Sequence, residues 1–569
     1  MCGIAGIIGD FNTHQLDDML LSQYHRGPDA TGKYFDDHFA ALGHNRLAII
    51  DLTEQSNQPF SDDSGRYVLV FNGEIYNYIE LKNELQDQYD FNTESDTEVL
   101  LAAYIVYGEK CLQKLNGMFA FAIWDNQDKK LFAARDRFGV KPYFYGLNNN
   151  SFYFSSEIKA LHAAGIPKKP NEKVWASYFA YGSYGLPDES FWEAILQLPG
   201  GHFLEYQNQQ LVIKKWYFFE NEVAKQPKNL TYNQTKEHYL TLLKDSINLR
   251  FRADVSVGFN ISGGLDSSIL LALVNLQGNI NINAYTFYTN NADYDELPWV
   301  ESMIASTRNP LKKALLQSNE VPGLAQKMAL HQDEPYGGIP TLAYAKIFQQ
   351  ARKDNVLVLL DGQGMDEQWA GYDYYTQTNE VTIQGVTDSP YKINMLSHSF
   401  LAKAEKPVYP TPFDHSVLNK QYRDLFYTKI PRALRFNDRN SMAFSTELRE
   451  PFLDHRLVEF AFSLPLDFKI KNGVTKYMLR EIASEYLADD LVFAPKRALQ
   501  TPQREWLAED LREWVGQCFS AIENSPYAKW FDKKELEKEL QFYFEGNIQS
   551  SFHIWQCISL FGMLSSDKH

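Results

Sequence analysis

The sequence predicts two domains: an amino-terminal α+β domain built from antiparallel sheets, and a carboxy-terminal α/β domain with a parallel sheet and a helical end. Three observations predict this architecture. The chain has 569 residues, whereas a single hydrophobic core stops growing at roughly 250 to 300 residues. Its pattern changes from short β-type runs to alternating strands and helices. A polar stretch without hydrophobic periodicity, residues 220–235, separates the two patterns.

The amino-terminal domain is placed at residues 2–210. It is filled by β-type runs separated by turn residues, such as YVLVFNGEIYN, PYFYGLNNNSFYFSS and GGHFLEYQNQQLVIKKWY, and these runs are typical of antiparallel sheets. The carboxy-terminal domain is placed at residues 232–569. Its runs VSVGFNIS, INAYTFYT and NVLVLLDGQG alternate with helical stretches, which indicates a parallel sheet covered by helices. Periodic runs such as HRLVEFAFSL and FHIWQCISLFGML predict helices near the end of the chain.

Composition excludes several classes of protein. Hydrophobic residues make up 44% and charged residues 22%, as in ordinary globular proteins. The net charge of −17 is spread along the chain, which argues against a nucleic-acid groove. Four separated cysteines indicate neither a disulfide framework nor a zinc site. No basic leader is present, and no stretch reaches the roughly 18 apolar residues of a membrane span. We expect a cytoplasmic protein without nucleic-acid or membrane partners.

Cys2 is the first candidate for chemistry. Removal of Met1 would leave a thiol and a free α-amine on the same residue. An α-amine has a pKa of about 8, so part of it is neutral near pH 7 and can accept the thiol proton. Taken alone, a cysteine at this position is better explained as a chance residue. The motifs that follow change that interpretation.

Five motifs occur in a fixed order: CGIAG at 2–6, HRGPD at 25–29, HNRLAI at 44–49, NGEIYN at 72–77 and SDTE at 95–98. Together they resemble the class II glutamine amidotransferases, the Ntn-type glutaminases. The resemblance implies a sandwich of antiparallel sheets between helices, in which Cys2 attacks the amide of glutamine. Two further segments, ARDRFGVKP at 134–142 and SEIKAL at 156–161, match as well, and their charges and glycines indicate scaffold.

The resemblance also implies roles for the residues of the pocket. The side-chain amide of Asn72 and the backbone N–H of Gly73 would form the oxyanion hole. Arg46 would bind the glutamine α-carboxylate through its planar guanidinium. Taken individually, Arg46 and Asp96 are better explained by ordinary surface ion pairs, and only the joint order of the motifs favours glutaminase activity. The predicted glutamine site comprises Arg46, Ile49, Asn72, Glu74 and Asp96, with Glu74 and Asp96 receiving the α-ammonium.

A second site is indicated by ISGGLDSS at 261–268, which follows a β-type run and opens a helix. Backbone N–H groups in that setting bind phosphate. It is not a Walker A loop, because no GK[ST] follows the glycines. SGGLDS resembles the PP-loop of ATP pyrophosphatases, which activate a carboxylate as an adenylate. The predicted ATP site comprises Ile261, Ser262, Gly263, Gly264, Asp266, Ser267, Phe287, Asp361 and Gly362.

Magnesium is the predicted cofactor besides the substrate ATP. Asp266 would lie beside the phosphates, where a carboxylate is tolerated chiefly if it holds Mg²⁺. Asp366, within DGQGMDE at 361–367, is the second predicted ligand. By itself, an acidic pair at a helix start is better explained by the helix dipole. By resemblance, Lys476, in KYMLR at 476–480, corresponds to the catalytic lysine of the family that this part of the chain resembles. In that role it would stabilise charge on the α-phosphate as the adenylate forms.

With RNSMA at 439–443 and ELREPFLD at 447–454, the resemblance extends over nearly the whole chain to the asparagine synthetase B family. It implies that aspartate, ATP, glutamine and water give asparagine, AMP, pyrophosphate and glutamate. Ammonia would pass through a tunnel between the domains, because water must be kept from the adenylate. The resemblance further implies a homodimer formed through the amino-terminal domain.

The resemblance weakens around the acceptor. Gln363 stands where the family has a glutamate, and an amide cannot act as a general base. Asp361 replaces a serine, and residues 294–310 and 496–501 match loosely. The same chemistry could therefore amidate another carboxylate, such as a sugar acid. A third alternative is a non-catalytic storage protein, which the intact site residues argue against.

Overall fold

The structure is a computed structural model that describes residues 1–276, 278, 281–377, 389–494 and 500–566. It confirms the predicted fold class: antiparallel sheets lie in the first part of the chain and a parallel sheet with helices in the second. None of the helices in these described ranges has the length and apolar character needed to cross a bilayer.

Residues 1–217, all of them described, contain two antiparallel sheets and six α-helices. The strands are β1 (Gly3–Ile8), β2 (Ala30–Asp36), β3 (Ala40–Arg46), β4 (Phe60–Ser61), β5 (Tyr67–Ile75), β6 (Gly117–Asp125), β7 (Lys130–Arg135), β8 (Phe144–Asn148), β9 (Ser151–Ser155), β10 (Leu196–Gln197), β11 (His202–Gln207) and β12 (Gln210–Lys215). The helices are α1 (Thr13–Ser22), α2 (Tyr78–Leu85), α3 (Asp96–Tyr107), α4 (Cys111–Lys114), α5 (Ile158–Ala163) and α6 (Glu172–Tyr181).

The two sheets stack face to face. One has the strand order β10-β8-β9-β1-β3-β2 and the other the order β12-β11-β7-β6-β5-β4. An apolar layer that includes Ile4, Leu42, Val70 and Ala122 lies between them. Helices α1 and α5 pack on the first sheet, α3 packs on the second, and α2 packs on α3. This sandwich agrees with the Ntn-type fold and brings the start of β1 beside the end of β5.

The second part of the chain holds a parallel sheet of β13 (Val257–Asn260), β14 (Ala284–Tyr288), β15 (Leu311–Leu315), β16 (Val358–Leu360) and β17 (Glu447–Arg449). Its strand order is β15-β14-β13-β16-β17. The central strands are the apolar runs that the sequence indicates. The edge strands β15 (LKKAL) and β17 (ELR) carry charged residues, so neither gives a continuous hydrophobic run. A separate hairpin joins β18 (Ile470–Lys471) and β19 (Val474–Thr475).

Helices surround this sheet and form the end of the chain. They are α7 (Phe219–Lys225), α8 (Tyr232–Arg250), α9 (Leu265–Leu276), α10 (Leu297–Thr307), α11 (Val321–Gln332), α12 (Gly338–Lys353), α13 (Met365–Gln368), α14 (His398–Leu401), α15 (Ser416–Phe426), α16 (Lys429–Met442), α17 (His455–Ser463), α18 (Leu466–Lys469), α19 (Tyr477–Ala483), α20 (Asp489–Val492), α21 (Gln503–Ala508), α22 (Arg512–Glu523), α23 (Lys533–Phe544) and α24 (Phe552–Ser566).

The structure differs from expectation at the polar stretch 220–235. Residues 220–225 lie within helix α7, and helix α8 begins at Tyr232, before the stretch ends. Phe219 and Val223 are buried, and Phe219 packs edge-on against Phe462 at 4.8 Å between ring centroids. Two apolar residues four positions apart lie on one face of a helix and can hold it against its neighbours. Two such residues are too few to give a periodic hydrophobic pattern in the sequence. The extended connection between α7 and α8 is therefore shorter than the predicted linker.

Candidate active sites

Cys2 immediately precedes β1 and is buried. Its backbone N–H donates to Oδ1 of Asn72 at 2.9 Å. Its Sγ atom lies 3.9 Å from the carbonyl oxygen of Leu47. Burial raises the pKa of the Cys2 thiol, so the thiol is protonated near neutral pH and needs a base to become a nucleophile.

Asn72 presents an unsatisfied donor beside the thiol. It is fully buried on β5, and within the described part of the chain its Nδ2 has no hydrogen-bond partner. A buried amide without an acceptor is costly, so this one is suited to an oxyanion that forms only during reaction. At Gly73 a Cβ atom would lie 2.1 Å from the carbonyl oxygen of Met118. Only glycine fits there.

Two buried carboxylates flank this pocket. Asp96 begins helix α3 and accepts the backbone N–H of Ile75 at 2.9 Å. Burial, with a contribution from Glu447, raises the pKa of Asp96 to about 6. Burial and Glu447 also raise the pKa of Glu74 well above its usual value. Carboxylates in such an environment gain from a cation, as expected for groups that receive an α-ammonium.

An α-ammonium already lies in this region. The buried amino group of Met1 donates to Oε2 of Glu447 at 2.7 Å. Arg449 bridges Glu447, at 2.5 Å, and Glu74, at 3.3 Å. Glu447 and Arg449 belong to a matched motif but had no predicted role. Their separation of more than 370 positions from Glu74 hides this arrangement from any local pattern.

Arg46 acts electrostatically on the Cys2 thiol and is engaged with its own loop. Its Nη1 donates to the carbonyl oxygen of Thr53 at 2.7 Å and to Oδ1 of Asn57 at 2.8 Å. Its Nη2 donates to the carbonyl oxygen of Asp51. Ile49 is buried in the same loop. The role of Arg46 and Ile49 in holding glutamine stays a prediction.

The phosphate loop, residues 262–267, follows β13 at the carboxyl end of the parallel sheet and includes the first turn of α9. Ser267 braces it, because Oγ of Ser267 accepts the Ser262 N–H at 3.1 Å and donates to the Ser262 carbonyl at 2.9 Å. The N–H of Gly263 donates to Oε2 of Glu296 at 3.0 Å. The Glu296 carboxylate thus accepts a hydrogen bond from a loop N–H group of the kind that binds phosphate oxygens. Glu296 belongs to the loosely matched segment 294–310 and had no predicted role at the phosphate loop.

Lys476 brings the phosphate loop together with the second predicted metal ligand. Its Nζ lies 2.5 Å from Oδ1 of Asp266 and 2.7 Å from Oδ1 of Asp366. Burial favours the neutral amine, but the two carboxylates outweigh burial and raise the pKa of Lys476. Asp266 starts α9 and Asp366 lies on α13. Three residues from distant segments therefore converge at one point.

Asp361 and Gly362 follow β16 beside the phosphate loop. Asp361 is buried, and its Oδ2 accepts from Nδ2 of Asn260 at 3.2 Å and from the Tyr344 hydroxyl at 3.3 Å. Burial raises the pKa of its carboxyl. A Cβ added at Gly362 would lie 3.3 Å from the Ser267 nitrogen, so this backbone packs directly on the loop. Gln363 follows in the same connection and is half-buried.

A pocket of about 380 Å³ opens beside the loop at the ends of β13 and β14. It is lined by Asn260, Ile261, Ser262, Thr286, Phe287, Tyr294, Asp295, Glu296, Tyr344, Ile347 and Gln500. The predicted ATP residues Ile261, Ser262 and Phe287 thus line the same pocket as Tyr294 and Gln500, which come from the loosely matched segments. Residues 496–499 of those segments lie outside the described residues.

The donor set fits magnesium at the loop. In the described ranges no cluster of three or more His, Cys, Asp and Glu side chains forms a metal cage. Mg²⁺ is commonly held by one or two carboxylates together with substrate phosphates and water. Asp266 and Asp366 supply two carboxylates around one cation, the Lys476 ammonium. The same two side chains can hold Mg²⁺ when phosphates are present.

Cavities lie between the two parts of the chain. One of about 870 Å³ is lined from both sides, by residues such as Val140 and Tyr217 on one side and Tyr422 and Asp438 on the other. A second, of about 330 Å³, is lined by residues including Met118 and Glu450. The predicted ammonia tunnel would have to run through this interface.

Comparison with known proteins gives two family matches. The glutamine amidotransferase domain matches residues 1–217, and asparagine synthase matches residues 238–565. Asparagine synthetase [glutamine-hydrolyzing] 3 of Bacillus subtilis is 30% identical over 582 residues, which cover 95% of this chain and 93% of that protein. Asparagine synthetase [glutamine-hydrolyzing] 1 of the same organism is 29% identical, over 93% and 91%. A Gibberella zeae protein named amidase chry2 is 25% identical, over 93% of each chain.

Fold, site and relatives together define a glutamine-dependent carbon–nitrogen ligase, with an Ntn-type glutaminase fold joined to a PP-loop domain. More than half of the chain matches one family model. The chain belongs to the asparagine synthase family.

Proposed function

We propose that this enzyme is a glutamine-dependent asparagine synthetase, which forms asparagine, AMP, pyrophosphate and glutamate from aspartate, ATP, glutamine and water. The observation that carries the proposal is the convergence of Lys476, Asp266 and Asp366 at the phosphate loop. Relatives named asparagine synthetases, at about 30% identity over nearly the whole chain, support aspartate as the acceptor. The domain limits 2–210 and 232–569 and the homodimer stay predictions.

In the glutaminase half, Met1 is removed and the freed α-amine of Cys2 accepts the thiol proton. Sγ attacks the amide carbon of glutamine, and the Nδ2 group of Asn72 with the N–H of Gly73 stabilises the oxyanion. The C–N bond breaks, the accepted proton passes to the leaving nitrogen, and ammonia departs. Water then cleaves the thioester, giving glutamate and the free thiol. Glu74 and Asp96 hold the substrate ammonium throughout.

In the synthetase half, the phosphate loop holds the pyrophosphate portion of ATP. A carboxylate oxygen of aspartate attacks the α-phosphorus, the bond to the β-phosphate bridge breaks, and pyrophosphate leaves. Lys476 stabilises the charge that develops on the α-phosphate oxygens. Mg²⁺ held by Asp266 and Asp366 would supply charge neutralisation at the leaving pyrophosphate. Ammonia then attacks the acyl carbon and AMP departs with the carboxylate oxygen.

A second candidate keeps this chemistry but amidates another carboxylate. Gln363 and Asp361 favour it, since they stand beside the loop where the family pattern has a glutamate and a serine. A relative along the whole chain also carries a name other than asparagine synthetase. Both candidates share the glutaminase half, so only the acceptor separates them.

Oxygen transfer tests the proposed acceptor. Aspartate labelled with ¹⁸O in its β-carboxylate is incubated with Mg-ATP and glutamine, and AMP is analysed by mass spectrometry. We expect one ¹⁸O atom in each AMP, because the attacking oxygen leaves with the phosphate. Pyrophosphate formed without label in AMP would exclude aspartyl adenylation. A sugar acid labelled in the same way tests the second candidate.

A further inference from the structure

Arg26 contacts the backbone of the nucleophile. It is fully buried, and its Nε donates to the carbonyl oxygen of Cys2 at 2.9 Å. Its Nη1 donates to Oε1 of Glu157 at 2.8 Å, within the same part of the chain. The guanidinium therefore fixes the carbonyl end of Cys2, while the bond from the Cys2 N–H to Asn72 fixes the other end.

The remaining partner of Arg26 comes from the synthetase part. Nη1 donates to Oδ2 of Asp438 at 2.8 Å, and Nη2 donates to Oδ1 of the same carboxylate at 3.2 Å. Asp438 lies on α16, 412 positions further along the chain. A two-point contact between a guanidinium and a carboxylate sets the orientation of both groups. Burial favours the protonated acid, but Arg26 and Lys141 outweigh burial and lower the pKa of Asp438.

Helix α16 makes a second link, which runs through Ser156 to strand β1, the strand that follows Cys2. Nη1 of Arg439 donates to the carbonyl oxygen of Ser156 at 2.9 Å, and Oγ of Ser156 accepts the N–H of Ile4 at 3.0 Å. Toward the synthetase site, Nδ2 of Asn440 donates to the carbonyl oxygen of Thr341 at 2.7 Å. Thr341 lies on α12, the helix that carries Tyr344 to Asp361. The Asp438 helix thus touches elements of both sites.

We infer that Asp438 is a positioning residue for the glutaminase: through Arg26, the synthetase part of the chain orients Cys2 for attack on glutamine. The inference rests on the proposed role of Cys2 as nucleophile. It follows that the glutaminase pocket is complete only when α16 is docked against it. A displaced nucleophile costs rate because reacting atoms must approach in a near-attack geometry.

The test is Asp438→Asn in the full-length enzyme, with glutaminase kcat and KM and ammonia-dependent pyrophosphate release measured in parallel. We expect glutaminase kcat to fall about tenfold or more. The glutamine KM should change less than twofold, because Asp438 does not reach the glutamine anchors, and ammonia-dependent release should persist. The matched control is Glu459→Gln. Glu459 is another buried acid between the domains, bound to the Tyr217 hydroxyl at 2.8 Å, and this variant should leave glutaminase kcat unchanged.

A double-mutant cycle with Arg26→Lys separates positioning from general loosening. If Asp438 acts through Arg26, Asp438→Asn costs little further glutaminase rate in the Arg26→Lys background. Equal losses in both backgrounds, or an equal loss in Glu459→Gln, would overturn the inference. Should Asp438→Asn not fold, Asp438→Glu keeps the charge and shifts it by one methylene, and an unchanged kcat there would also overturn it. Cys2→Ala distinguishes failure of this inference from failure of the proposed function. Glutaminase activity that survives in Cys2→Ala would contradict the proposed function itself.

Discussion

The ammonium nitrogen of Lys476 lies 2.5 Å from Oδ1 of Asp266, a residue 210 positions earlier in the chain. Asp366 completes the contact from the other side at 2.7 Å. The Lys476 ammonium therefore holds the two predicted metal ligands together.

Lys476→Met should abolish most adenylation. Pyrophosphate release should fall by about 10² or more, since a positioned charge at a developing anion contributes several kcal/mol. Glutaminase turnover should stay near its starting value, because Cys2 and Asn72 are untouched. Lys471→Met is the matched control, as Lys471 is exposed and lies over the Tyr477 ring. Pyrophosphate release that survives in Lys476→Met would remove the lysine from the mechanism.

Metal removal should separate the two half-reactions. Treatment with EDTA is expected to stop ATP-dependent pyrophosphate release while glutamine hydrolysis continues. The reason is that Asp266 and Asp366 lie at the phosphate loop, whereas the glutaminase pocket relies on a thiol and an amide. Asp366→Asn should raise the Mg²⁺ concentration needed for half-maximal release. Equal inhibition of both activities by EDTA would contradict this division.

Asn72→Asp isolates the oxyanion donor. The aspartate keeps an acceptor oxygen for the Cys2 N–H but lacks the Nδ2 donor, and losing one such donor costs about 10² to 10³ in kcat. Glutaminase kcat should fall by at least about 10², with ammonia-dependent pyrophosphate release retained. Asn77→Asp in the same motif serves as the control, because its side chain bonds the backbone of Lys114 and Asn116. A wild-type kcat in Asn72→Asp would remove the amide from the oxyanion hole.

The pH dependence of glutamine use should report Asp96. Burial raises its pKa to about 6, so the carboxyl is neutral below that pH and ionised above it. Only the ionised form attracts the substrate ammonium. The kcat/KM for glutamine should therefore fall as pH drops through about 6. Asp96→Asn should lower the kcat/KM for glutamine at high pH and remove most of its decrease below about pH 6. Ammonia-dependent pyrophosphate release, which does not use the glutamine pocket, provides the reference pH profile.

Much of the fold follows from local patterns. The apolar runs that became β5, β13 and β16 are continuous in the sequence, and the loops after β13 and β16 must meet at one edge of a parallel sheet. The proximity of Asp266 and Asp366 can therefore be predicted from the sequence alone. The edge strands β15 and β17 escaped prediction because their charged residues interrupt any hydrophobic run.

Other contacts depend on tertiary packing alone. Arg26 and Asp438 are separated by 412 positions, and neither lies in a periodic pattern that points to the other. Arg26 did belong to the motif HRGPD, so a buried role for it could have been suspected. Glu296, which immediately precedes α10, and Glu447, which begins β17, reach their sites only through tertiary packing. Lys476 was identified through resemblance to a family, not through spacing.

The most direct measurement is pyrophosphate release by the pure enzyme with Mg-ATP and glutamine, with and without aspartate, and with the amidated product identified by mass spectrometry. The proposed function predicts aspartate-dependent release, with asparagine and glutamate formed in equal amounts. Glutaminase activity without aspartate-dependent release would contradict it and assign the enzyme a different carboxylate acceptor.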